Sequence, residues 1–184
     1  MAISRALQYF LKSGGVIAYP TESVFGLGCD PTNRRAVQRI LRLKGRPQRK
    51  GLILVADRFS KLQSYITPLT QKQHQTLQQS WSQQSRPHTW LVPSAKDCPK
   101  WLSGRHSTLA VRVSAHALTA RLSRTSGMAL VSTSANRSGC HPARTTRQCY
   151  RLFGGQVRVI QGLTGRAKRP STIQDLQSGR IIRP

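Results

Sequence analysis

Short apolar runs alternate with amphipathic helical stretches along this chain, and that alternation restricts the fold more than any other feature. Ile3, Ala6, Leu7, Phe10 and Leu11 recur at helical spacing until Gly14-Gly15. Val16 to Tyr19 reads as a buried strand, and Pro20 to Asp30 as a loop with two glycines. Thr32 is placed to cap a second helix, in which Val37, Ile40, Leu41 and Lys44 share one face. Leu52 to Ala56, Thr89 to Val92, Leu109 to Val113, Ala129 to Val131 and Val157 to Ile160 read as further strands. Helices are expected at Thr70 to Gln79, at Ala117 to Leu122, and at Thr145 to Phe153 with Thr145 as cap. Thr172 to Ile182 reads as a hairpin turning at Ser178-Gly179. Buried strands interleaved with helices imply an α/β body, one domain spanning 1–184, with a twisted sheet covered by helices.

What such a body meets is written in its charge. The formal net charge is +25 over 184 residues, from 30 Lys and Arg against 5 Asp and Glu. The cations run the whole length, from Arg5 to Arg183. A folded body with that excess repels itself and calls for a polyanion, nucleic acid first. A membrane surface ranks below it, since no apolar run is long enough to span. The five acids, Glu22, Asp30, Asp57, Asp97 and Asp175, are scattered. Clustered carboxylates for two-metal chemistry, or a glycosidase pair, therefore have little to draw on. Cys29, Cys98, Cys140 and Cys149 form no C-x-x-C pair, and Met1 to Lys12 lacks a signal-peptide core. Reduced thiols and a cytoplasmic location are the expectation. No P-loop, complete dinucleotide fingerprint, H-E-x-x-H or G-x-S-x-G motif occurs.

Two segments carry candidate chemistry. Lys44, Arg46, Arg49 and Lys50 put four cations on one short turn, with Pro47 stiffening it and Gly45 and Gly51 allowing close approach to a ligand. A guanidinium grips phosphate with two hydrogen bonds, and an ammonium acts as a movable charge. A solvated helix C-terminus explains the same cations equally well. The second segment, Val131-Ser132-Thr133-Ser134-Ala135-Asn136-Arg137-Ser138-Gly139, offers small hydrogen-bonding groups after a strand. Such groups cradle phosphate oxygens or read a small polar substrate, and also make ordinary Ser/Asn turns.

Together the segments resemble a known family. Lys44-x-Arg46 followed by Ser134-x-Asn136 is similar to the signature of the YrdC/TsaC family, the threonylcarbamoyl-AMP synthases. So are Ala18-Tyr19-Pro20-Thr21-Glu22-Ser23-Val24-Phe25-Gly26-Leu27-Gly28-Cys29-Asp30, Leu109-Ala110-Val111-Arg112-Val113, Pro170-Ser171-Thr172-Ile173-Gln174-Asp175-Leu176 and Gly179-Arg180-Ile181-Ile182-Arg183-Pro184. The likeness runs from about Gly15 to the C-terminus and matches the short form of the family.

The resemblance implies a mixed α/β sheet with a concave basic cleft. It implies an enzyme that joins L-threonine, bicarbonate and ATP into threonylcarbamoyl-adenylate and pyrophosphate, with Mg²⁺ on the ATP and no protein-only metal site. The product feeds downstream threonylcarbamoyl transferase proteins that modify tRNA beside the anticodon, and tRNA or double-stranded RNA is an expected partner of the basic face. By motif position Lys44, Arg46, Lys50, Thr108, Ser134 and Asn136 would hold ATP, with Lys44 and Arg46 catalytic. Thr21, Ser23, Arg112 and Ser171 would hold threonine, Arg112 through its carboxylate. Ser132, Thr133, Thr89 and Arg144 are further candidates. Lys44 and Arg46 are expected at a loop mouth. The chain departs from the family where Gln84-Ser85-Arg86-Pro87-His88-Thr89 replaces Trp-Pro-Gly-Pro-x-Thr. Arg144 stands near a position where relatives often carry a small hydroxyl. Trp90 and Trp101 are read as core, Trp81 as core or a displaced aromatic, and the histidines show no ligand spacing. A non-catalytic RNA-binding protein of the same fold is the competing reading.

Overall fold

The computed structural model describes residues 2–82 and 86–184, with side chains from Arg5 onward, so Ile3's side chain and the altered residues Gln84 and Ser85 lie outside the described residues. The strands are β1 (Ile17–Pro20), β2 (Phe25–Gly28), β3 (Ile53–Ala56), β4 (His88–Pro93), β5 (Thr108–Val113), β6 (Leu130–Ser134), β7 (Arg158–Val159), β8 (Thr172–Asp175) and β9 (Ile181–Arg183). They form one sheet in the order β7-β1-β2-β6-β3-β5-β4-β8-β9. The pairs β1/β7, β3/β5 and β4/β8 are parallel and the others antiparallel, so the sheet is mixed, as expected. The helices are α1 (Ala2–Lys12), α2 (Arg34–Lys44), α3 (Gln71–Ser82), α4 (Lys100–Ser103), α5 (Ala117–Ser126) and α6 (Thr146–Phe153). None is long and apolar enough to cross a membrane.

Strand alternation divides the sheet into two faces. Leu54 registers with Val111 and Val131 on one face. That face belongs to the larger core, with Val37, Ile40 and Leu41 of α2, Leu77 of α3 and Phe153 of α6. Val55, Leu130, Ile17 and Tyr19 point the other way, under Leu7 and Leu11 of α1 and Leu122 of α5. Helices α1 and α5 cover only part of this second face. What they leave bare positions the functional site.

Several expectations need correction. Pro20 to Asp30 is not all loop: Thr21 closes a turn onto Val24 O with its amide (3.1 Å) and hydroxyl (2.7 Å), and Phe25–Gly28 returns as β2. Glycine is normally scarce in strands, but a Cβ at Gly28 would lie 2.7 Å from both the Tyr19 ring and Val131 O. Asn33, not Thr32, caps α2: its side-chain oxygen accepts from Ala36 N at 3.0 Å, while Thr32 bonds Asp30. Strand β6 runs on through Ser134, so Ser132 to Ser134 are strand residues rather than a following turn. The strand at Val157 to Ile160 shortens to Arg158–Val159, and the polar helix runs over Gln71–Ser82. Thr145 caps α6 as expected, with Gln148 completing a capping box. Trp90 is buried, and Trp81 and Trp101 pack against the larger core.

Candidate active site

The bare part of the second face is the floor of a cleft of about 530 Å³. Thr108, Ala110 and Arg112 point into it because alternate residues of β5 share a face. Registered neighbours extend that floor: Ala110 lies opposite Ile53 and Leu91, Ile53 opposite Ser132, and Gly26 opposite Ser134. Thr21 and Ser23 come from the β1–β2 turn, Asn136 from the loop after β6, and Ser171 from the entry to β8.

One wall holds the cation turn. A residue after α2 must reverse the chain, and Gly45 does so in the left-handed region (φ 59°), its amide returning to Arg42 O and Leu41 O. Gly51 lines the cleft and also has a packing role: a Cβ there would lie 2.9 Å from Ser103 O, so its smallness lets the turn seat on α4. Arg46 lines the cleft with its Nη2 donating to Gly51 O at 2.9 Å. Burial holds its pKa below the usual guanidinium value. Lys50 is exposed at the cleft edge. Lys44 corrects an expectation. It is not at a loop mouth but only 3% exposed, and it does not line the cleft. Its ammonium donates to Ser134 O, to Asn136 O (2.8 Å) and to Asn136 Oδ1 (3.2 Å).

The opposite end is built around a buried charge pair. Arg112 Nη2 stands 3.4 Å from Glu22 Oε2, and Glu22 Oε1 accepts from Ser114 Oγ at 2.7 Å. Burial opposes ionisation of Glu22, but Arg112 and the Ser114 hydroxyl outweigh it and hold the carboxyl below its ordinary value. Arg183 faces the same region from β9. Its Nη2 donates to Ser171 O (2.7 Å) and Oγ (3.2 Å), and Ser171 Oγ lies 2.8 Å from Thr89 Oγ1. Burial, and then the charge of Arg112, lower the Arg183 pKa. Arg183 thus adds a second guanidinium near Arg112, and Glu22 pairs with Arg112 alone.

Of the candidates from the sequence, the cleft gathers Thr21, Ser23, Arg46, Lys50, Thr108, Arg112, Ser132, Thr133, Ser134, Asn136 and Ser171. Lys44 and Thr89 stand behind its walls, and Arg144 is exposed outside its lining. Thr21 is buried with its hydroxyl already given to Val24 O. Sequence reasoning missed Glu22, Arg183 and His106. Glu22 sits between two residues that were chosen, so its neighbours were the available signal. Arg183 was quoted within a motif without a role. His106 lines the cleft beside Thr108 and was set aside with the other histidines.

The sequence model of the Sua5, YciO and YrdC family, described as telomere recombination, matches residues 9–184. The threonylcarbamoyl-AMP synthase of Methylobacillus flagellatus is 62% identical over 181 residues, covering 98% of this chain and 99% of its own. That of Thiobacillus denitrificans is 50% identical over 177 residues, covering 96% and 93%. Among solved structures, P. abyssi Sua5 complexed with L-threonine superposes with a TM-score of 0.88 at 29% identity, over 98% of this chain. The chain spans about half of that longer protein, 53% of its length. E. coli YciO shares the fold, with a TM-score of 0.79 at 24% identity over 99% of this chain and 88% of its own. The family model and these relatives agree: the chain belongs to the Sua5/YrdC family.

Proposed function

We propose that this protein is a threonylcarbamoyl-AMP synthase, converting L-threonine, bicarbonate and ATP into threonylcarbamoyl-adenylate, pyrophosphate and water. The observation that carries this reading is the cleft itself: one floor brings small hydroxyls and the Asn136 amide between cations at both ends. The threonine amine combines with bicarbonate, or the carbon dioxide derived from it, to form a carbamate. A carbamate oxygen then attacks the α-phosphorus of ATP, and the bond to the β-phosphate oxygen breaks as pyrophosphate leaves. Both reactants are anions, so their approach depends on preorganised positive charge. Arg46 and Lys50 supply it to the phosphates. Thr108, Ser134 and Asn136 orient the nucleotide, and Ser132 and Thr133 lie beside them.

At the other end Arg112 receives the threonine carboxylate, with Ser23 and Ser171 near its side chain. Holding three reactants together supplies much of the acceleration. Among the described residues no three of His, Cys, Asp and Glu converge as a metal cage, and Mg²⁺ enters with ATP as part of that substrate. The test is pyrophosphate release by the purified protein. It should require ATP, threonine and bicarbonate together, and release from ATP alone at the same rate would reject the reading.

RNA contact is a second role, additional to synthesis, and one observation favours it. Glu22, Asp30, Asp57 and Asp175 are each tied to hydroxyls, amides or cations of the same chain, which leaves Asp97 as the exposed, uncommitted acid. The outward charge is therefore almost wholly positive. The product is an activated donor, which a transferase must consume on tRNA. Affinity for tRNA should fall by roughly 0.7–0.9 log units per log unit of salt for each phosphate contacted. A flat salt response would remove the RNA role and leave the synthase untouched.

A further inference from the structure

Lys44 is bonded at both ends to the end of β6 and the loop that follows it. Its carbonyl accepts from Ser138 N at 2.7 Å, and its ammonium uses three donors on three acceptors, Ser134 O, Asn136 O and Asn136 Oδ1. Asn136 Oδ1 also accepts from Ser134 Oγ at 2.6 Å, and Asn136 Nδ2 donates to Arg137 O and Cys140 O. Ser134, the last residue of β6, and Asn136, in the loop after it, thus share one ammonium, which holds the Ser134 carbonyl directly and its hydroxyl through Asn136 Oδ1. That ammonium comes from behind. Ser134 and Asn136 line the cleft, whereas Lys44 does not; it is among the residues of a second cavity of about 500 Å³, with Arg42, Arg137, Ser138, Leu152 and Phe153.

We infer that Lys44 is a positioning residue, which fixes Ser134 and Asn136 from the rear of the loop and does not itself touch the nucleotide. For what Ser134 and Asn136 hold, this rests on the synthase reading. Arg46 is the charged group that acts on the ammonium; Arg42, Arg137 and, from α6, Leu152 and Phe153 share the second cavity with Lys44. Burial first, and Arg46 second, push the Lys44 pKa down to about 8. A neutral amine keeps two N–H donors for three acceptors, so the loop loosens as pH rises through that value. Stability moves the opposite way. Between about 8 and the ordinary 10.5 the unfolded chain binds more proton than the folded one, so this group's contribution to stability rises with pH.

The test compares wild type with Lys44→Met by amide hydrogen exchange, a readout independent of catalysis. The amides of Asn136, Ser138 and Cys140 should exchange at least ~10-fold faster in the variant, with those of β3 and β5 unchanged. Equal protection of the loop would overturn the proposal, whatever the protein synthesises. Should Lys44→Met fail to fold, Lys44→Gln, which cannot place three N–H donors on Ser134 O, Asn136 O and Asn136 Oδ1, carries the same test with the same contrary result.

A second measurement addresses contact with the nucleotide. Lys44→Ala should lose about 100-fold in kcat/KM, the scale of a misplaced reactive geometry. Propylammonium, which replaces the missing atoms, should restore at least ~10-fold of this without competing with ATP. Rescue that ATP displaces would mean that the ammonium occupies a phosphate site and would overturn the assignment. Failure of wild type to make the adenylate would sink the synthase reading alone, because the exchange experiment still decides the role of Lys44.

Discussion

Arg46 and Lys50 stand at one end of the cleft and Arg112 at the other, and the two ends treat charge differently. At the first end cations are left without carboxylates: Arg46 bonds only backbone oxygens, and Lys50 is exposed. At the second, Arg112 is buried against Glu22, which Ser114 holds in place. The ends are separated by the length of β5 from Thr108 to Arg112, roughly 13 Å at about 3.3 Å per residue. On the proposed function, the contrast suits two anions of unequal charge on one sheet face. A triphosphate needs uncompensated cations. A single carboxylate needs a guanidinium whose place and net charge are already fixed, and an internal acid does both.

The largest effect should come from breaking the compensated end. Arg112→Ala leaves the Glu22 carboxylate buried without its cation, which costs about 3–5 kcal/mol in comparable buried pairs. Urea unfolding measures this, and Arg112→Ala with Glu22→Gln together should recover much of the loss. Equal stability of the single variant would mean that the pair is not coupled. Next comes the uncompensated end. Arg46→Ala should lower adenylate formation by about 100-fold, the effect of losing one preorganised donor. Its fold should change little, so a cooperative melt near that of wild type accompanies the loss. Turnover at the wild-type rate would remove Arg46 from the site.

Smaller, and confined to acid, is the pH response of the buried carboxylates. Glu22 and Asp57 have folded pKa values below 4.5 and 3.8. For Asp57 burial works against ionisation, and Lys61 and Ser123 overcome it. Stability from each is complete above the unfolded value and is lost as pH falls through the lower folded value. Unfolding free energy should thus drop below about pH 4, and Asp57→Asn should flatten that drop. A parallel decline in variant and wild type would assign the acid sensitivity elsewhere.

Much of this architecture is legible from periodicity, since β3, β4, β5 and α6 need only local apolar patterns and one capping box. Strand β2 is not, because Gly26 and Gly28 read as loop residues until Tyr19 is seen filling the space beside Gly28. The burial of Lys44 was visible in part: it shares the apolar face of α2 with Val37, Ile40 and Leu41, a pattern that argues against a loop mouth. The eleven candidates that line the cleft came from motif order, which also records their likeness to a family. Glu22 stayed hidden because its meaning depends on Arg112, which reaches it only after the strands have paired. Arg183 depends in the same way on the return of β9 beside β8.

The crossed dependence of the two Michaelis constants tests the central claim most directly. With Lys50→Ala and Arg112→Lys measured against both ATP and threonine, Lys50→Ala should raise KM for ATP at least ~10-fold and leave that for threonine near wild type, as loss of a contact to one substrate requires. Arg112→Lys, which keeps the charge but loses the guanidinium's geometry, should do the reverse. If both constants rise together in each variant, or if Arg112→Lys acts on ATP alone, the division of the cleft into a triphosphate end and a carboxylate end is wrong.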